Sequence, residues 1–588
     1  MKTFYESGIR KRVLFISFLS AAWAIIIFGR LIDLQVLKHE SCENQVYRQN
    51  QDLKKAEPER GNIYDRNGQI LACSLPAPNV YICPIEKEKP AETAAKLKKL
   101  GSILGLPGRE ISRIQSRLQK GYTFTYVKKR VSRDEANAVK DLKLDGVGFE
   151  PATKRYYPLG PFASHVLGGV NGQEQGVAGA EYRYDSILRG EEGEQLVFVD
   201  SQHREYQAQV VKPALRGSDL YLTIDVTVQH IAESELEKAV REQGASWGTV
   251  IIMKPSNGEI LALANYPDYD PNKFPADPRL QINRAIMHNY APGSTFKIVT
   301  AAAAVENKVV SFSDAFDCRP GYVMAGPLTI RDHLRLGILS FPEVLIESSN
   351  VGTVLFARRL NPFDLYETIR TFGFGTRTGI DLPAEEPGLV RPVEKWNKKI
   401  SLSYIAIGYE LMVTPIQILN AMNVYATGGF LVRPHVALKS STENELNNSA
   451  NPLPEKVIQE KTARDLVELV YEKVVERGTG KLGSLEGYQI AGKTGTAQKI
   501  DQATGSYTTR MHIASFVGFA PAGRPVLSMV VVLDEPKEKF YYGGQVCAPV
   551  FRDIARKVLR YMRVPPDRPF SDRLVTVDNR EAGVKTGQ

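Results

Sequence analysis

Arg10, Lys11 and Arg12 are followed by a run from Val13 to Gly29 that carries no charge, and this run constrains the chain more than any other feature. Its length lies at the short edge of what crosses a bilayer. Leu31, Ile32 and Leu34 prolong the apolar character past Arg30, whose long side chain can reach back to the interface. A cleaved signal peptide would need a small-residue site soon after the run. The sequence instead continues Gly29-Arg30-Leu31-Ile32-Asp33-Leu34 with helical spacing, so an uncleaved anchor over residues 13–34 is expected. Basic residues before the span place residues 1–12 in the cytoplasm and everything after it outside. No second run approaches this length.

What lies outside must fold as more than one domain, because 588 residues exceed a single ordinary core. Residues 34–60 are polar and suit an extended helix or stalk leaving the membrane. Residues 60–225 mix short strand-like runs (Val80 to Cys83, Gln195 to Val199, Leu220 to Ile224) with helical segments (Ala91 to Leu104, Glu110 to Gln119) and read as an α+β module without catalytic or metal-ligand clusters. The pattern changes at Asp225. A helix over Val226 to Gln243 leads to a hairpin, Gly248 to Met253 and Glu259 to Ala264 about the turn Pro255-Ser256-Asn257-Gly258. Helices follow over Lys297 to Glu306, Phe341 to Leu360, Pro415 to Ala426 and Ala463 to Arg477. Strands Ile513 to Phe519 and Val526 to Leu533 and a helix Val550 to Tyr561 come last. The fold class expected is therefore multidomain α+β: an anchor, an α+β pedestal over 35–225, a domain over 226–563 whose terminal strands meet in one sheet around a helical insertion, and a polar tail over 564–588.

The net charge of +9 comes with no dense Lys/Arg block, so no nucleic-acid footprint is expected. The five cysteines have no paired metal-ligand spacing; only Cys73 and Cys83 come up as a pair that could bridge.

The chemistry lies in three motifs of the second domain. Pro292-Gly293 breaks the chain before an apolar helical pattern, so Ser294 starts a helix, where free N–H groups and the dipole favour developing negative charge. Lys297 falls on the same face one turn later, and burial would make its amine neutral and able to take the serine proton. Ser348-Ser349-Asn350 supplies a hydroxyl, Ser348, to pass a proton on and an amide, Asn350, to hold a peptide backbone. Lys493-Thr494-Gly495-Thr496 reads as an edge strand. Lys493 adds positive field, the hydroxyls of Thr494 and Thr496 hold a carboxylate, and Gly495 permits close approach. The N–H of Thr496 would complete an oxyanion hole with that of Ser294. Each motif alone is uninformative; the ordered set is not.

S-x-x-K, S-x-N and K-T-G together resemble the signature of serine β-lactamases and penicillin-binding proteins, and most of the chain resembles the class B penicillin-binding proteins. Arg60-Gly61-Asn62-Ile63-Tyr64-Asp65-Arg66-Asn67-Gly68, Gly176 to Glu181 with Tyr184-Asp185, Val413-Thr414-Pro415 and Tyr541-Tyr542-Gly543-Gly544 carry the likeness. Glu410 departs from it, standing in Gly408-Tyr409-Glu410 where the family usually has a second glycine. The resemblance implies a D,D-transpeptidase in which Ser294 attacks the penultimate D-alanine carbonyl of a peptidoglycan stem peptide, releases terminal D-alanine, and passes the acyl group to a neighbouring amine. It also implies β-lactams as covalent inhibitors, no cofactor, and a polytopic glycosyltransferase of the shape, elongation, division and sporulation class as partner, with other divisome proteins. Cys318 with Asp332-His333 inclines the reading to the division and sporulation branch over elongation.

Three rival patterns are set aside. Gly487 to Thr494 matches the phosphate-loop spelling G-x-x-x-x-G-K-T but lacks a following helix. Glu443-Asn444-Glu445-Leu446-Asn447 imitates a deacylating loop of β-lactamases in a polar surface context, so rapid hydrolysis of penicillin is not expected. Asp317-Cys318 with Asp332-His333 is better read as structural than as a metal site, and no metal is expected. A catalytically silent scaffold remains the alternative of a different class.

Overall fold

The computed structural model describes residues 2–40, 51–83, 89–122, 124–199, 205–273, 277–441, 453–500, 507–537 and 540–569. Cys42, the Glu443 loop and the end of the tail lie outside the described residues. The chain forms two compact units.

The first unit comprises Met1–Glu59, Leu75–Lys154 and Gly190–Arg216. It starts with a helix over Lys2–Ile32 that runs into a π-helical turn, Asp33–Leu37. Arg12–Leu37 is long and apolar enough to cross a membrane. Asp33 pairs with Arg30 at 2.6 Å and Lys38 at 3.1 Å, so its charge is matched at the C-terminal end of the apolar run. The expected stalk is in part a strand: Gln51–Ala56 pairs antiparallel with Gly193–Val199, which pairs with Glu205–Lys212. Its six residues carry no apolar alternation, and its place is fixed by backbone hydrogen bonds to a partner some 140 positions away. A second three-stranded sheet, with Asn79–Ile82 between Thr125–Lys128 and Val147–Glu150, shares a core with the helices Pro90–Leu104, Gly108–Gln119 and Arg133–Asp141. Cys73 and Cys83 are not bridged to each other.

The second unit is built on five antiparallel strands: β1 (Trp247–Met253), β2 (Ile260–Tyr266), β3 (Ala491–Ile500), β4 (Tyr507–Ala520) and β5 (Leu527–Asp534), in the order β2-β1-β5-β4-β3. The two ends of the domain sequence meet at β1 and β5, where Val250 faces Val531. Successive residues of β1 enter different cores. Val250 and Ile252 pack with Leu236 and Phe551 of the helices Val226–Glu242 and Ala548–Tyr561. Ile251 and Met253 pack with Phe296, Ile298 and Leu419 on the other side. The sheet is thus covered on both faces, which is why β1 and β5 are buried along their whole length.

This unit does not start at residue 226. It also takes in Arg60–Ser74, Arg155–Arg189 and Gly217–Asp225. A buried charge cluster ties these segments together. Glu181, fully buried, accepts from Arg60 at 2.8 Å and Arg155 at 2.6 Å, while Arg60 also reaches Asp185 at 2.6 Å. Leu220–Leu222 pairs in parallel with Ile63–Tyr64 and antiparallel with Ala437–Ser440. The conspicuous Arg60 to Gly68 and Gly176 to Asp185 segments therefore serve the second unit's own framework.

The helix expected over Phe341 to Leu360 is two helices, Phe341–Ile346 and Asn350–Ala357, broken at Ser348, whose φ is 57°. The apolar pattern runs through the break because both halves are buried. Ser349 restarts the helix as its N-cap, accepting from Gly352 N at 2.9 Å.

Candidate active site

Ser294 lies in a 3₁₀ turn, Gly293–Phe296, that leads directly into the helix Lys297–Glu306. Gly408 seats this turn: its carbonyl accepts from Gly293 N at 3.0 Å, and a Cβ on Gly408, already at φ 84°, would stand 2.1 Å from Gly293 O. Two residues on, Glu410 itself holds a left-handed backbone at φ 59°, a conformation that costs an L-residue about 1–2 kcal/mol. Its carboxylate pairs with Arg391 and accepts from Ser401 Oγ at 2.6 Å, contacts that offset the strain.

Lys297 is fully buried. Its Nζ donates to Ser348 O at 2.7 Å and Asn350 Oδ1 at 2.8 Å, with Ser348 Oγ at 3.4 Å. Burial lowers its pKa to about 7, against a smaller upward pull from Asp332. A neutral amine has two N–H groups, which the two short acceptors occupy, and this leaves the lone pair free to take a proton. The Ser294 hydroxyl has no hydrogen-bond partner among the described residues.

Lys493, also fully buried, donates to Ser348 Oγ at 2.9 Å; burial, and then the charge of Lys297, hold its pKa far below the usual lysine range. The Ser348 hydroxyl therefore stands between two amines.

β3 is the edge strand of the sheet, paired with β4. Gln498 N donates outward to the Tyr409 hydroxyl at 3.4 Å. Outward amides recur at every second residue, and the register is regular from Ala491 to Gln498, so the N–H groups of Thr494 and Thr496 face the same open edge. At Gly495 β3 lies tight against its surroundings: a Cβ there would meet Ser515 Oγ at 2.3 Å and Thr295 Cγ2 of the Ser294 turn at 2.7 Å. Thr496 Oγ1 accepts from Gly543 N at 3.0 Å, which leaves its own proton to donate into the cleft. Thr494 Oγ1 lies 2.8 Å from Thr479 Oγ1. Lys493 sits within this strand and points at Ser348, with no helix after it, so the phosphate-loop spelling has no phosphate-loop geometry.

Sequence reasoning assigned no role at the centre to Asp332. It accepts from Ser349 Oγ at 2.7 Å and Val351 N at 3.1 Å and also from Asn350 N, thereby capping the second helix and fixing Asn350. An aspartate can be recognised as a helix cap when it immediately precedes the helix. Asp332 reaches its helix from 18 residues away, and no local signal marks it. Its neighbour His333 packs edge-on against Tyr542 at 5.3 Å. Asp317 pairs instead with Arg319, and among the described residues no three His, Cys, Asp or Glu are grouped to hold a metal. Ser294, Ser348, Thr494 and Thr496 all line one cavity of about 480 Å3, with Asp332 and His333 in the same wall.

This assembly has recognisable relatives. Residues 248–556 match the penicillin-binding protein transpeptidase domain, and residues 55–222 match the penicillin-binding protein dimerisation domain. Stage V sporulation protein D of Bacillus subtilis is 34% identical over 95% of this chain and 87% of its own length. Peptidoglycan D,D-transpeptidase FtsI of Escherichia coli is 32% identical over 96% of this chain and 93% of its own. Among solved structures, penicillin-binding protein 3 of Mycobacterium tuberculosis, crystallised with aztreonam, superposes with a TM-score of 0.67 at 26% identity, covering 88% of this chain and 99% of that one. Both domain matches and relatives aligned nearly end to end agree with the three motifs converging on one cleft: the chain belongs to the class B penicillin-binding proteins.

Proposed function

We propose that this chain is a peptidoglycan D,D-transpeptidase of septal wall synthesis and a target of β-lactams, working through an acyl-enzyme on Ser294. The observation that carries the reading is the buried Lys297 amine beside Ser348 and Asn350, at the head of the helix that Ser294 opens. Neutral Lys297 takes the Ser294 proton as Oγ attacks the penultimate D-alanine carbonyl. The developing oxyanion is held by the N–H groups of Ser294 and Thr496. Ser348, bridged to Lys493, returns a proton to the departing D-alanine nitrogen, Asn350 holds the stem backbone, and Thr494 and Thr496 hold the terminal carboxylate. An amine of a neighbouring stem then takes the acyl group.

Labelling with a fluorescent penicillin tests this. The wild type is expected to take the label and Ser294→Ala to lose it; label on the variant, or none on the wild type, sinks the proposal. The septal assignment draws on Cys318 with Asp332-His333 and on the sporulation name of one relative, and a tagged copy found along the lateral wall would replace it with the elongation reading. In this reading Arg10 to Arg12 stay in the cytoplasm, the anchor spans the inner membrane over 13–34, and the unit that holds Leu75–Lys154 and Gly190–Arg216 serves as the pedestal of the transpeptidase domain. A polytopic glycosyltransferase and other divisome proteins would be partners; co-purification of the full chain from detergent tests for them.

A further inference from the structure

A second cavity of the same unit, of about 340 Å3, shares no lining residue with the cavity at Ser294. Three arginines stand in its wall: Arg370 near the end of the helix Pro362–Thr371, Arg377 in the loop that follows, and Arg433 just after the strand Phe430–Leu431. Arg370 and Arg433 are partly buried and Arg377 is exposed. Among the described residues none of the three pairs with a carboxylate. The neighbouring Glu385 carboxylate is taken up by Thr378 N at 2.7 Å, Thr378 Oγ1 at 2.6 Å and Gly379 N at 3.1 Å. Glu455, exposed, is the acid of the wall itself, so three positive charges face one negative.

The guanidinium groups are held in place by backbone carbonyls. Arg370 Nη1 donates to Phe374 O at 2.9 Å, Arg377 Nε to Glu385 O at 2.8 Å and Arg433 Nε to Gly379 O at 2.6 Å. Two glycines make room for them. A Cβ on Gly375 would stand 2.4 Å from Arg370 Nη1, and one on Gly379 would stand 3.2 Å from Arg433 Nε. Each guanidinium keeps further N–H groups with no acceptor among the described residues, in a planar fork that matches the oxygens of a phosphate. Asn420, on the helix Pro415–Ala426, lines the same cavity and is 4% exposed. Its amide has no hydrogen-bond partner among the described residues; Oδ1 is sealed off, and Nδ2 is the amide atom that keeps access to the cavity. Gln417, one turn earlier on that helix, donates to Thr376 O at 2.8 Å and so fixes the arginine loop against it. The unused polar groups gathered here are donors.

We propose that this cavity is a binding site for a phosphate group, held by Arg370, Arg377 and Arg433 with the Asn420 amide behind them. A carboxylate offers two oxygens in one plane, whereas donors that reach in from a helix end, a loop, a strand end and a second helix suit the tetrahedral oxygens of phosphate. The cluster is assembled before any ligand arrives, because each guanidinium is already anchored, so little side-chain freedom is lost on binding. The site is independent of the chemistry at Ser294. Its ligand is a phosphate ester, either a soluble one or the headgroup of an anionic lipid, and both present the same oxygens to the arginines.

The test is calorimetric titration of the full chain in a phosphate-free detergent buffer at low salt. The probes are inorganic phosphate, glycerol phosphate and dihexanoyl phosphatidylglycerol below its micelle concentration, with acetate as the planar control. The phosphate probes are expected to bind and acetate to bind about tenfold more weakly. Arg433→Gln should lower the affinity about tenfold, the loss of a charged hydrogen bond, and Arg377→Gln, at an exposed position, about threefold. Arg433→Lys should recover part of the loss, since it restores the charge without the fork. These effects shrink at high salt. Penicillin acylation of the same variants should stay within about twofold of wild type, which shows that they are folded. The tighter of glycerol phosphate and the lipid identifies the source of the phosphate. A wild type that binds none of the three phosphate probes overturns the site, as do Arg433→Gln and Arg377→Gln variants that bind like wild type. Loss of phosphate binding once Ser294 is saturated with penicillin would put the anion in the catalytic cavity and overturn it as well.

Discussion

Lys297 is where protonation state and geometry meet. With its pKa brought to about 7 by burial, the amine is charged below neutrality and cannot accept the serine proton. The rate of penicillin acylation is therefore expected to fall about tenfold per pH unit below 7 and to level off above it, measured by stopped-flow labelling. The same depression couples to stability. Between about pH 7 and the lysine range of the unfolded chain, the unfolded state binds the extra proton, so raising the pH through that window stabilises the fold. Thermal unfolding followed from pH 7 to 9 should show Tm rising, and Lys297→Met should flatten the slope while abolishing acylation. Asp332 pulls the same pKa upward. Asp332→Asn is expected to move the acid limb of the acylation profile to lower pH, a shift that mere loosening of the helix cap would not produce, and to cost about 1 kcal/mol of stability as the cap weakens.

At the scale of elements, the central strands and most helices were legible because both faces of the sheet are covered and the apolar runs are long. What the sequence hid were places where a distant residue overrides a local pattern. Phe341 to Leu360 reads as one helix since both halves are buried, and Asp332, reaching in from another loop, joins the Ser349 cap in making the chain stop at Ser348 and start again at Asn350. Gln51–Ala56 failed as a prediction for the mirror-image reason: it has no pattern of its own and borrows its order from Gly193–Val199. The site motifs were legible as spellings and became chemistry only when β3 was seen to turn the amide of Thr496 toward the Ser294 turn. Gly495→Val, which puts side-chain bulk where a Cβ alone already overlaps Ser515 and Thr295, should abolish penicillin labelling while circular dichroism stays near wild type.

For the whole molecule, the catalytic unit is assembled from separated stretches of chain, and Glu181 is the knot. Removing it leaves Arg60 and Arg155 buried without their main counter-charge; breaking such a pair from one side costs about 3–5 kcal/mol. Glu181→Ala is thus expected to lower Tm sharply, whereas Glu347→Gln, exposed and unpaired, is not. A chain beginning at Val226 lacks the Arg60, Arg155 and Leu220 segments, and it should fail to give a cooperative unfolding transition even though the three catalytic motifs are all present. The placement of β5 between β1 and β4 also sets an order of events in time. A chain made from its N-terminus brings out Ser294 early, but the strand that joins the two halves of the sheet emerges among the last, so this serine waits in an unfinished cleft until Asp534 has emerged. A nascent chain that stalls before Asp534 lacks the strand that closes the sheet, and no fragment shorter than that is expected to take a penicillin label.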